Sequence, residues 1–452
     1  MNIIIAGAGM VGSTLTRMLT TEGHDVTLID STSSVLDSNL EQYDVMAIQG
    51  NCASMEILQQ AGVMEAELLI AATNLDEVNL LCCITAHSMN PDLHTIARIR
   101  NPDYTGQIYS MRNNFGLSMS INPEKQAAVE IERLLKYPGF LKRDSFAKGK
   151  TEIVELKVDA SSKLCNVALM DMNSIVKCRV LVCAVLRQGQ AIAPNGNFVL
   201  REGDRIFVTA PTENLTTLLK NLGIITRRVR RVMICGGGRI SYYLAKNLAK
   251  NGISVQIIER DLDRCQSLAE QLPDVAIIHG DCTDQNLLES EGLAEVDAMV
   301  NMTGIDELNM ITSLYGMGRG VHPVITKMSR MANRNIIDTL NLGSVICPKE
   351  LCCNNIARYV RAMQNHSGAA ISVHAIADGQ AEAVEFLVDS STPNCGIALK
   401  DLKLKANVLL VSITRAGHTE IPNGMSSFMP GDYIVVVANS QQAIHSMDDI
   451  FA

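Results

Sequence analysis

The chain has 452 residues, a formal charge of −9 and an isoelectric point near 5.5. Such a length divides into several units of roughly 100–150 residues, and no apolar run approaches the roughly 18 residues that a membrane-spanning helix requires. The acidic balance argues against general nucleic-acid or anionic-lipid binding, which draws most of its affinity from clustered positive charge.

The N-terminus passes directly into an apolar strand over 3–6 without a signal-peptide pattern, so a cytoplasmic protein is expected. Gly7, Ala8, Gly9, Met10, Val11 and Gly12 follow, then a helix over about 11–22 and a strand over 25–29 that ends on Asp30. This order of strand, turn, helix and strand is the context in which a GxGxxG spacing carries meaning. Gly7 permits the tight turn, Gly9 lets the backbone approach a pyrophosphate, and Gly12 lets helix and sheet pack closely. The helix N-terminus offers free N–H groups and positive dipole potential to phosphates. Asp30 is expected to accept hydrogen bonds from both adenosine ribose hydroxyls, and its charge would repel a 2′-phosphate, favouring NAD over NADP.

Strands over 47–49 and 68–72 come next. Their carboxyl ends, at Asn51 and Cys52 and at Thr73 and Asn74, are expected to approach the adenine and the phosphates, because a ligand lies across the strand ends of an open parallel sheet. Asp76, Glu77 and Asn79 open the following helix, where carboxylates favour the dipole; capping is the plainer reading of them. Arg98 and Arg100 lie on or just past a strand over 95–99. A guanidinium fork suits phosphate oxygens, with surface ion pairs as the alternative. Segments 151–220 and 381–450 hold short β-branched runs, a P-N-G turn each and a G-D turn before the last strand, which predicts small antiparallel β-rich domains.

From residue 231 the design repeats. Gly236, Gly237, Gly238, Arg239 and Ile240 lead to Glu259, and the interval from first glycine to acid is 23 residues in both copies. Gly50, Asp76, Glu77 and Arg98 recur as Gly280, Asp306, Glu307 and Lys327; Arg187, Gly189 and Asp204 recur as Arg415, Gly417 and Asp432. One long period means a tandem of multi-element domains, since solenoid repeats are far shorter. Asp281 and Cys282 take the places of Asn51 and Cys52. Ser241 replaces the third glycine, which is expected to push its helix from the sheet, and Arg260 follows Glu259. The two sites are therefore expected to differ in affinity or nucleotide preference, with tighter binding at the first; a second site that is only a vestigial scaffold is the alternative.

The thirteen cysteines include no paired CxxC motifs, so no metal set is expected. They read as small buried hydrophobes in a reducing compartment, while the equivalent positions of Cys52 and Cys282 leave a redox or ligand-contact role open. The cluster Arg227, Arg228, Arg230 and Arg231 reads as a solvated lead-in to the next strand. No histidine recurs in both halves, and His374 and His418 read as surface residues.

Taken together the residues resemble the Trk potassium-uptake regulatory family, TrkA, built from two tandem RCK (regulator of potassium conductance) units. The resemblance spans essentially the whole chain. It rests on G-A-G-M-V-G with Asp30, Q-G-N-C after the third strand, A-T-N-L-D-E-V-N from Ala72, A-R-I-R from Ala97 and P-x-G-x-x-x-L-x-x-G-D from Pro194. The second half contributes G-G-G-R-I, I-E-R-D and H-G-D-C-T-D. Asn51 departs from the family, which often has aspartate there, and so do Ser241 and Lys327.

The resemblance implies an α/β fold with two tandem Rossmann-like parallel-sheet domains, at 1–122 and 230–347. Each is followed by a small α+β RCK C-terminal subdomain, at 140–224 and 368–452. It implies a cytoplasmic regulator and not a catalyst, binding NAD or NADH, with ATP or ADP as further candidates. Gly7, Ala8, Gly9, Met10, Val11, Asp30, Asn51, Cys52, Thr73, Asn74 and Arg98 would hold one nucleotide. Gly236, Gly237, Gly238, Arg239, Ile240, Glu259, Asp281 and Cys282 would hold the other. The implied partner is an integral-membrane potassium transporter of the TrkH or TrkG type, at the inner membrane, with the regulator itself a homo-oligomer, dimer or tetrameric ring. Segments around 124–137 and 349–363 would be crossover helices that mediate RCK pairing, the first ended by Pro138 and Gly139.

Two rivals remain. An NAD-dependent oxidoreductase would need a general acid or base beside the nicotinamide, and no such group stands in both halves. A regulator of a different potassium channel or efflux protein keeps the fold and changes the partner.

Overall fold

The computed structural model describes residues 1–111, 116–136, 140–222, 229–329, 340, 342–363, 370–390, 392–405, 407–439, 444 and 446–451. Tyr137, Pro138 and Gly139, Arg227 and Arg228, and the expected boundaries at 224, 368 and 452 lie outside the described residues.

The first lobe is a six-stranded parallel sheet of β1 (Asn2–Ala6), β2 (Asp25–Asp30), β3 (Met46–Gln49), β4 (Leu68–Ala71), β5 (His94–Arg98) and β6 (Met119–Ile121), in the order β3-β2-β1-β4-β5-β6. The order reverses between β1 and β4, which opens the crevice at their carboxyl ends where ligands bind in such folds. An antiparallel sheet follows, made of β7 (Lys142–Phe146), β8 (Thr151–Lys157), β9 (Leu181–Arg187), β10 (Gln190–Ile192) and β11 (Arg205–Pro211). The second half repeats the plan. Strands β12 (Arg231–Cys235), β13 (Ser254–Glu259), β14 (Ala276–His279), β15 (Ala298–Asn301), β16 (Val324–Lys327) and β17 (Ser344–Ile346) form the second parallel sheet in the same order. Strands β18 (Ala370–Ile376), β19 (Ala381–Leu387), β20 (Val408–Arg415), β21 (His418–Glu420) and β22 (Tyr433–Asn439) form the second antiparallel one. The central parallel strands are continuous apolar runs because helices cover both faces of the sheet.

Gln188 and Gly189, at φ 51° and 77°, turn β9 into β10, and Ala416 and Gly417, at 48° and 82°, turn β20 into β21. Two residues at positive φ make the tight hairpin whose twist matches its strands. The recurring Arg and Asp of these sheets are structural: Arg187 grips Asp204 through two bonds of 2.8 and 2.7 Å, and Arg415 grips Asp432 in the same way.

The crossover helices Pro123–Lys136 and Pro348–Met363 are where the two halves become one body. Ala127, Ala128, Ile131, Leu134 and Leu135 form one stripe at helical spacing, buried against the second lobe's Ile234, Leu244 and Leu248. Cys352, Cys353, Ile356 and Val360 are buried in turn against the first lobe's Ile3, Ile5 and Leu15. Each half thus lends its helix to the other. Burial of Ile131, Leu134 and Leu135 contributes about 1.5–3 kcal/mol per side chain, so a half on its own would expose both a stripe and the groove that receives one.

The two antiparallel sheets also share a core, in which Phe146, Ile153 and Phe207 meet Ile376, Ala383 and Val435. Polar contacts fix their register: Glu385 Oε1 accepts the Ala147 N–H at 2.6 Å, and Gln380 bonds both the Ala191 N–H and the Gly189 carbonyl. Here the sequence expectation for His374 fails. Its ring is buried, with Nδ1 2.9 Å from Asp144 Oδ1 and Nε2 3.0 Å from the Arg358 guanidinium, and it stacks edge-on with Phe146. It joins the first antiparallel sheet to the second crossover helix. His418 is exposed as expected.

Candidate nucleotide sites

The first glycine turn follows from β1 without slack. Gly7 has φ +101°, and a side chain there would meet Thr73 N at 2.9 Å. Gly12 comes so close to the turn that a Cβ would lie 1.8 Å from the Gly7 carbonyl oxygen. At Gly9 a side chain would enter open space, so the exposed face of this turn is bare backbone. Gly9 caps the helix Met10–Thr21 with extended backbone and without a side-chain hydrogen bond, leaving the helix N-terminus to a ligand. Met10 is exposed, but the Val11 side chain is core, so Val11 can offer only its backbone to this face.

Asp30 does something the spacing does not reveal. Its Oδ2 accepts the Ala8 N–H at 2.7 Å and its Oδ1 accepts the Thr32 N–H at 2.9 Å. The carboxylate latches the glycine turn to the end of β2. Each oxygen keeps a lone pair for a ribose hydroxyl, because an ionised carboxylate accepts about four hydrogen bonds.

Asn51 Oδ1 accepts the Ala53 N–H at 3.1 Å and shapes the exposed turn after β3, while Cys52 beside it points into the core. At the end of β4, Asn79 Oδ1 accepts both the N–H and the hydroxyl of Thr73, at 2.8 and 2.7 Å, and Asn79 Nδ2 donates to the Arg98 carbonyl at 2.8 Å. This fully buried asparagine clamps the ends of β4 and β5 together. Asp76 acts beside it by accepting the Arg100 and Asn101 N–H groups at 2.8 and 2.7 Å. Neither side chain caps its own helix. The Arg100 guanidinium bonds the Asn74 carbonyl. Arg98 lies 4.0 Å from Glu124 on the first crossover helix, with its Nε buried and without an acceptor among the described residues; burial lowers its pKa. Arg98 is thus a largely buried interlobe group and not a surface ion pair.

The second lobe repeats this construction. Gly236 has φ +99°, Gly238 faces open space, and the helix Arg239–Lys250 starts there without a side-chain cap. Glu259 latches the turn as Asp30 does, accepting the Gly237 N–H at 2.6 Å and the Asp261 N–H at 2.8 Å. The longer side chain reaches because Gly237 leaves room; a Cβ there would lie 3.0 Å from Glu259 Cγ. Asp281 accepts the N–H and hydroxyl of Thr283, which hold its pKa below the ordinary value. Asn309 holds Thr303 and the Lys327 carbonyl as Asn79 holds Thr73 and Arg98. Thr303 and Asn309 escaped the sequence reading, although their offset from Thr73 and Asn79 equals that of the aspartates.

Three differences separate the lobes. Ser241 is fully buried and its hydroxyl donates to the Gly236 carbonyl, so its helix stands far enough off to admit a side chain. Arg239, Arg260 and Arg264 stand where the first lobe has Met10, Ser31 and Val35. Arg264 reaches the turn itself, with Nε 2.7 Å from the Gly237 carbonyl. Lys327 Nζ bonds the Thr303 carbonyl at 2.8 Å, and burial lowers its pKa. Between the lobes, Asn122 donates to the Tyr243 hydroxyl at 3.1 Å, which donates to the Arg100 carbonyl at 3.2 Å.

Among the described residues no helix is long and apolar enough to cross a membrane, and no group of three or more potential metal ligands comes together.

The TrkA-N domain model matches residues 3–123 and 232–348, and the TrkA-C domain model matches 153–223 and 383–452. The Trk system potassium uptake protein TrkA of Haemophilus influenzae is 30% identical over 459 residues, covering 100% of this chain and 98% of that protein. A TrkA homolog of Archaeoglobus fulgidus is 32% identical over 452 residues, covering 100% of both. Among solved structures, the GsuK RCK domain superposes with a TM-score of 0.62 at 16% identity, covering 97% of this chain and 92% of that one. The GsuK channel bound to NAD gives a TM-score of 0.60 at 16% identity, covering 97% of this chain and 77% of that one. At this identity the two structures speak for the fold. By its tandem TrkA-N and TrkA-C domains and its full-length relatives, the chain belongs to the TrkA family.

Proposed function

We propose that this protein is the nucleotide-binding regulatory subunit of a Trk-type potassium uptake system, with units at 1–122, 140–224, 230–347 and 368–452. It works in the cytoplasm as a homo-oligomer docked on an integral-membrane transporter, and it gates that transporter in response to NAD(H), ATP or ADP. The observation that carries this reading is the doubled site: two glycine turns with open helix N-termini, each latched by its own acid, in lobes clasped by exchanged helices. The residues named above for each nucleotide supply backbone N–H groups to the phosphates and a carboxylate to the ribose, which binds a nucleotide without converting it.

Regulation follows from the clasp. Thr73, Asn79, Arg98 and Arg100 form one hydrogen-bonded edge, and that edge is tied through Tyr243 to the helix of the second glycine turn. A nucleotide that prefers one arrangement of this edge shifts the population of lobe arrangements. Taking a gate from mostly shut to mostly open needs about 5.5 kcal/mol of differential binding, which several sites in an oligomer can sum.

The test is isothermal titration of the full-length protein with NADH, NAD, ATP and ADP, alongside Asp30→Ala and Glu259→Ala, with each sample assayed for hydride turnover. Binding weakened site by site without turnover supports the regulator. Turnover of any 2-hydroxy acid, or binding untouched by both variants, overturns it.

A further inference from the structure

The buried histidine between the antiparallel sheets is built on the internal repeat. His374 on β18 and Asp144 on β7 are 230 residues apart, and the turns that follow them, with Ala147 and Ala377 at φ 49° and 50°, share that offset. The two sheets thus meet at a residue and its own copy. Two acids or two histidines would face each other there had the copies stayed alike; an acid against an imidazole makes a hydrogen bond.

The ring lies between two groups of opposite kind. Its Nδ1 is 2.9 Å from Asp144 Oδ1, and its Nε2 is 3.0 Å from Nη2 of Arg358 on the crossover helix Pro348–Met363. A guanidinium carries only N–H groups and accepts nothing, so Arg358 donates and Nε2 is the acceptor. The proton of the ring therefore sits on Nδ1, where it is donated to Asp144. Both nitrogens are committed and the ring is neutral. A second proton has only Nε2 to go to, where its N–H would face the N–H of Arg358.

The charges around the ring leave Arg358 with little else to hold. Burial alone would push the Asp144 carboxyl up, but Lys142, with Nζ 3.2 Å away, and His374 hold it well below the usual carboxylate range. Beside it Arg143 pairs with Glu152, which also reaches Arg133; Arg133 and its partner Glu130 belong to the first crossover helix. On β19, Glu385 accepts the Ser372 hydroxyl at 2.8 Å and the Ala147 N–H at 2.6 Å. On the second crossover helix, Arg361 grips Glu22. Arg358 Nε is buried without an acceptor, and among the described residues His374 Nε2 is the one hydrogen-bond acceptor of this guanidinium.

We propose that His374 is a proton-operated joint, which ties the second crossover helix to the antiparallel sheets when neutral and releases it when protonated. Protonation turns the bond to Asp144 into one between ions and strengthens it, while the bond from Arg358 is lost because the ring has no lone pair left. The two sheets stay in register and the helix is freed. Histidine is the side chain whose charge changes between about pH 5 and 8, so the trigger is mild acidification. The helix carries the change to the first lobe. Cys353, Ile356 and Val360 share a core with Leu15, on the helix Met10–Thr21 behind the first glycine turn, and Arg361 grips Glu22 at the end of that helix. An effect on nucleotide affinity rests on the function proposed above; the joint itself does not.

The experiment compares hydrogen exchange of the full-length protein at about pH 8 and about pH 5.5, with rates corrected for the intrinsic pH dependence of exchange. It is run on the wild type, on His374→Gln, whose neutral amide offers a donor and an acceptor but takes no proton, and on Arg358→Met, which removes the other half of the bond. In the wild type, amides of 348–363 should exchange about two- to tenfold faster at the lower pH, the equivalent of one lost hydrogen bond, with 142–146 and 370–376 unchanged. His374→Gln should be slow and Arg358→Met fast at both pH values. Nitrogen-15 spectra of the imidazoles, with the His374 signal identified by its loss or displacement in the variants, should show the Nδ1–H tautomer at the higher pH. The Nε2–H tautomer, a ring already charged there, or acid acceleration that persists in either variant overturns the joint. Calorimetry with NADH at both pH values separates the two readings. Acid-sensitive exchange in a protein that binds no nucleotide leaves the joint standing and overturns the nucleotide function. Nucleotide binding with exchange that ignores pH does the reverse, and acid-sensitive exchange with unchanged affinity overturns the link to the first glycine turn.

Discussion

The two glycine turns are the same device made with different parts, and the difference shows which parts are obligatory. Both lobes keep a glycine at φ near +100°, a carboxylate that latches the turn, and a buried asparagine that joins two strand ends. The latch survives a change of length from Asp30 to Glu259 because Ala8 gives way to Gly237. What changes freely is the rim, from Met10, Ser31 and Val35 to three arginines, together with the close approach at Gly12, replaced by Ser241. The lobes therefore share a scaffold for a nucleotide, while the charge that meets its phosphates is set separately in each.

The shared clamp should be the most costly part to break. Asn79→Ala leaves the Thr73 N–H and the Arg98 carbonyl without their partner, and each buried group left so costs about 1–3 kcal/mol. Asn309→Ala should lower the urea midpoint by a similar amount, and a clearly unequal pair would mean that the two edges are not equivalent. Next comes the helix approach. Gly12→Ser forces a Cβ into the Gly7 carbonyl, an overpacking worth about 1–3 kcal/mol, and nucleotide affinity at the first site should fall at least about tenfold, or ~1.4 kcal/mol. The reverse change, Ser241→Gly, removes one hydrogen bond and should cost only about 0.5–1.5 kcal/mol. If the two swaps are equally mild, the second helix does not stand off as described.

Much of this was legible in the sequence because it is local or periodic. The glycine turns, their acids and the strand ends follow from apolar runs and one repeated interval. The resemblance implied that the crossover helices mediate pairing, but which lobe covers each of them was not legible. Ala127, Ile131 and Leu135 announce a buried face, but the spacing cannot say which lobe covers it. Asn79 was hidden for a related reason: an asparagine in the first turn of a helix reads as a local cap, whereas its carbonyl partner at Arg98 is 19 residues away. His374 carried no pattern at all, and its burial depends on Asp144, 230 residues earlier. The exchange also bears on how the sites are compared. Single-site variants of the intact chain are the sound comparison, because separated halves lack their partner's helix.

The charged rim gives a smaller and salt-sensitive contrast. Arg264→Met removes the guanidinium bonded to Gly237 and should weaken ADP or ATP at the second site severalfold, about 1 kcal/mol, while the first site is unchanged. Raising the ionic strength should shrink that difference, since exposed charges are screened within about 8–10 Å. Equal losses at both sites would show that the arginine acts through the fold and not through local charge.

The weakest contrast lies in the antiparallel sheets, where the same fork is built twice in unequal exposure. Burial alone would raise the pKa of Asp204, but the Arg187 guanidinium and the Arg201 N–H donate to its carboxylate and hold it below 3.8. A carboxyl depressed in the folded state stabilises the protein above its ordinary pKa, and that contribution is lost as pH falls through the depressed value. Asp204→Asn should therefore lower the melting temperature slightly near neutrality and flatten its decline in the window below about pH 4. Arg415 is 52% exposed against 23% for Arg187, so solvent screens the Asp432 fork more and Asp432→Asn should change the melting temperature less. Melting curves of the two variants from pH 7 to pH 3 decide this: a larger loss at Asp432 would mean that the register of the second sheet, and not solvent screening, governs the strength of the fork.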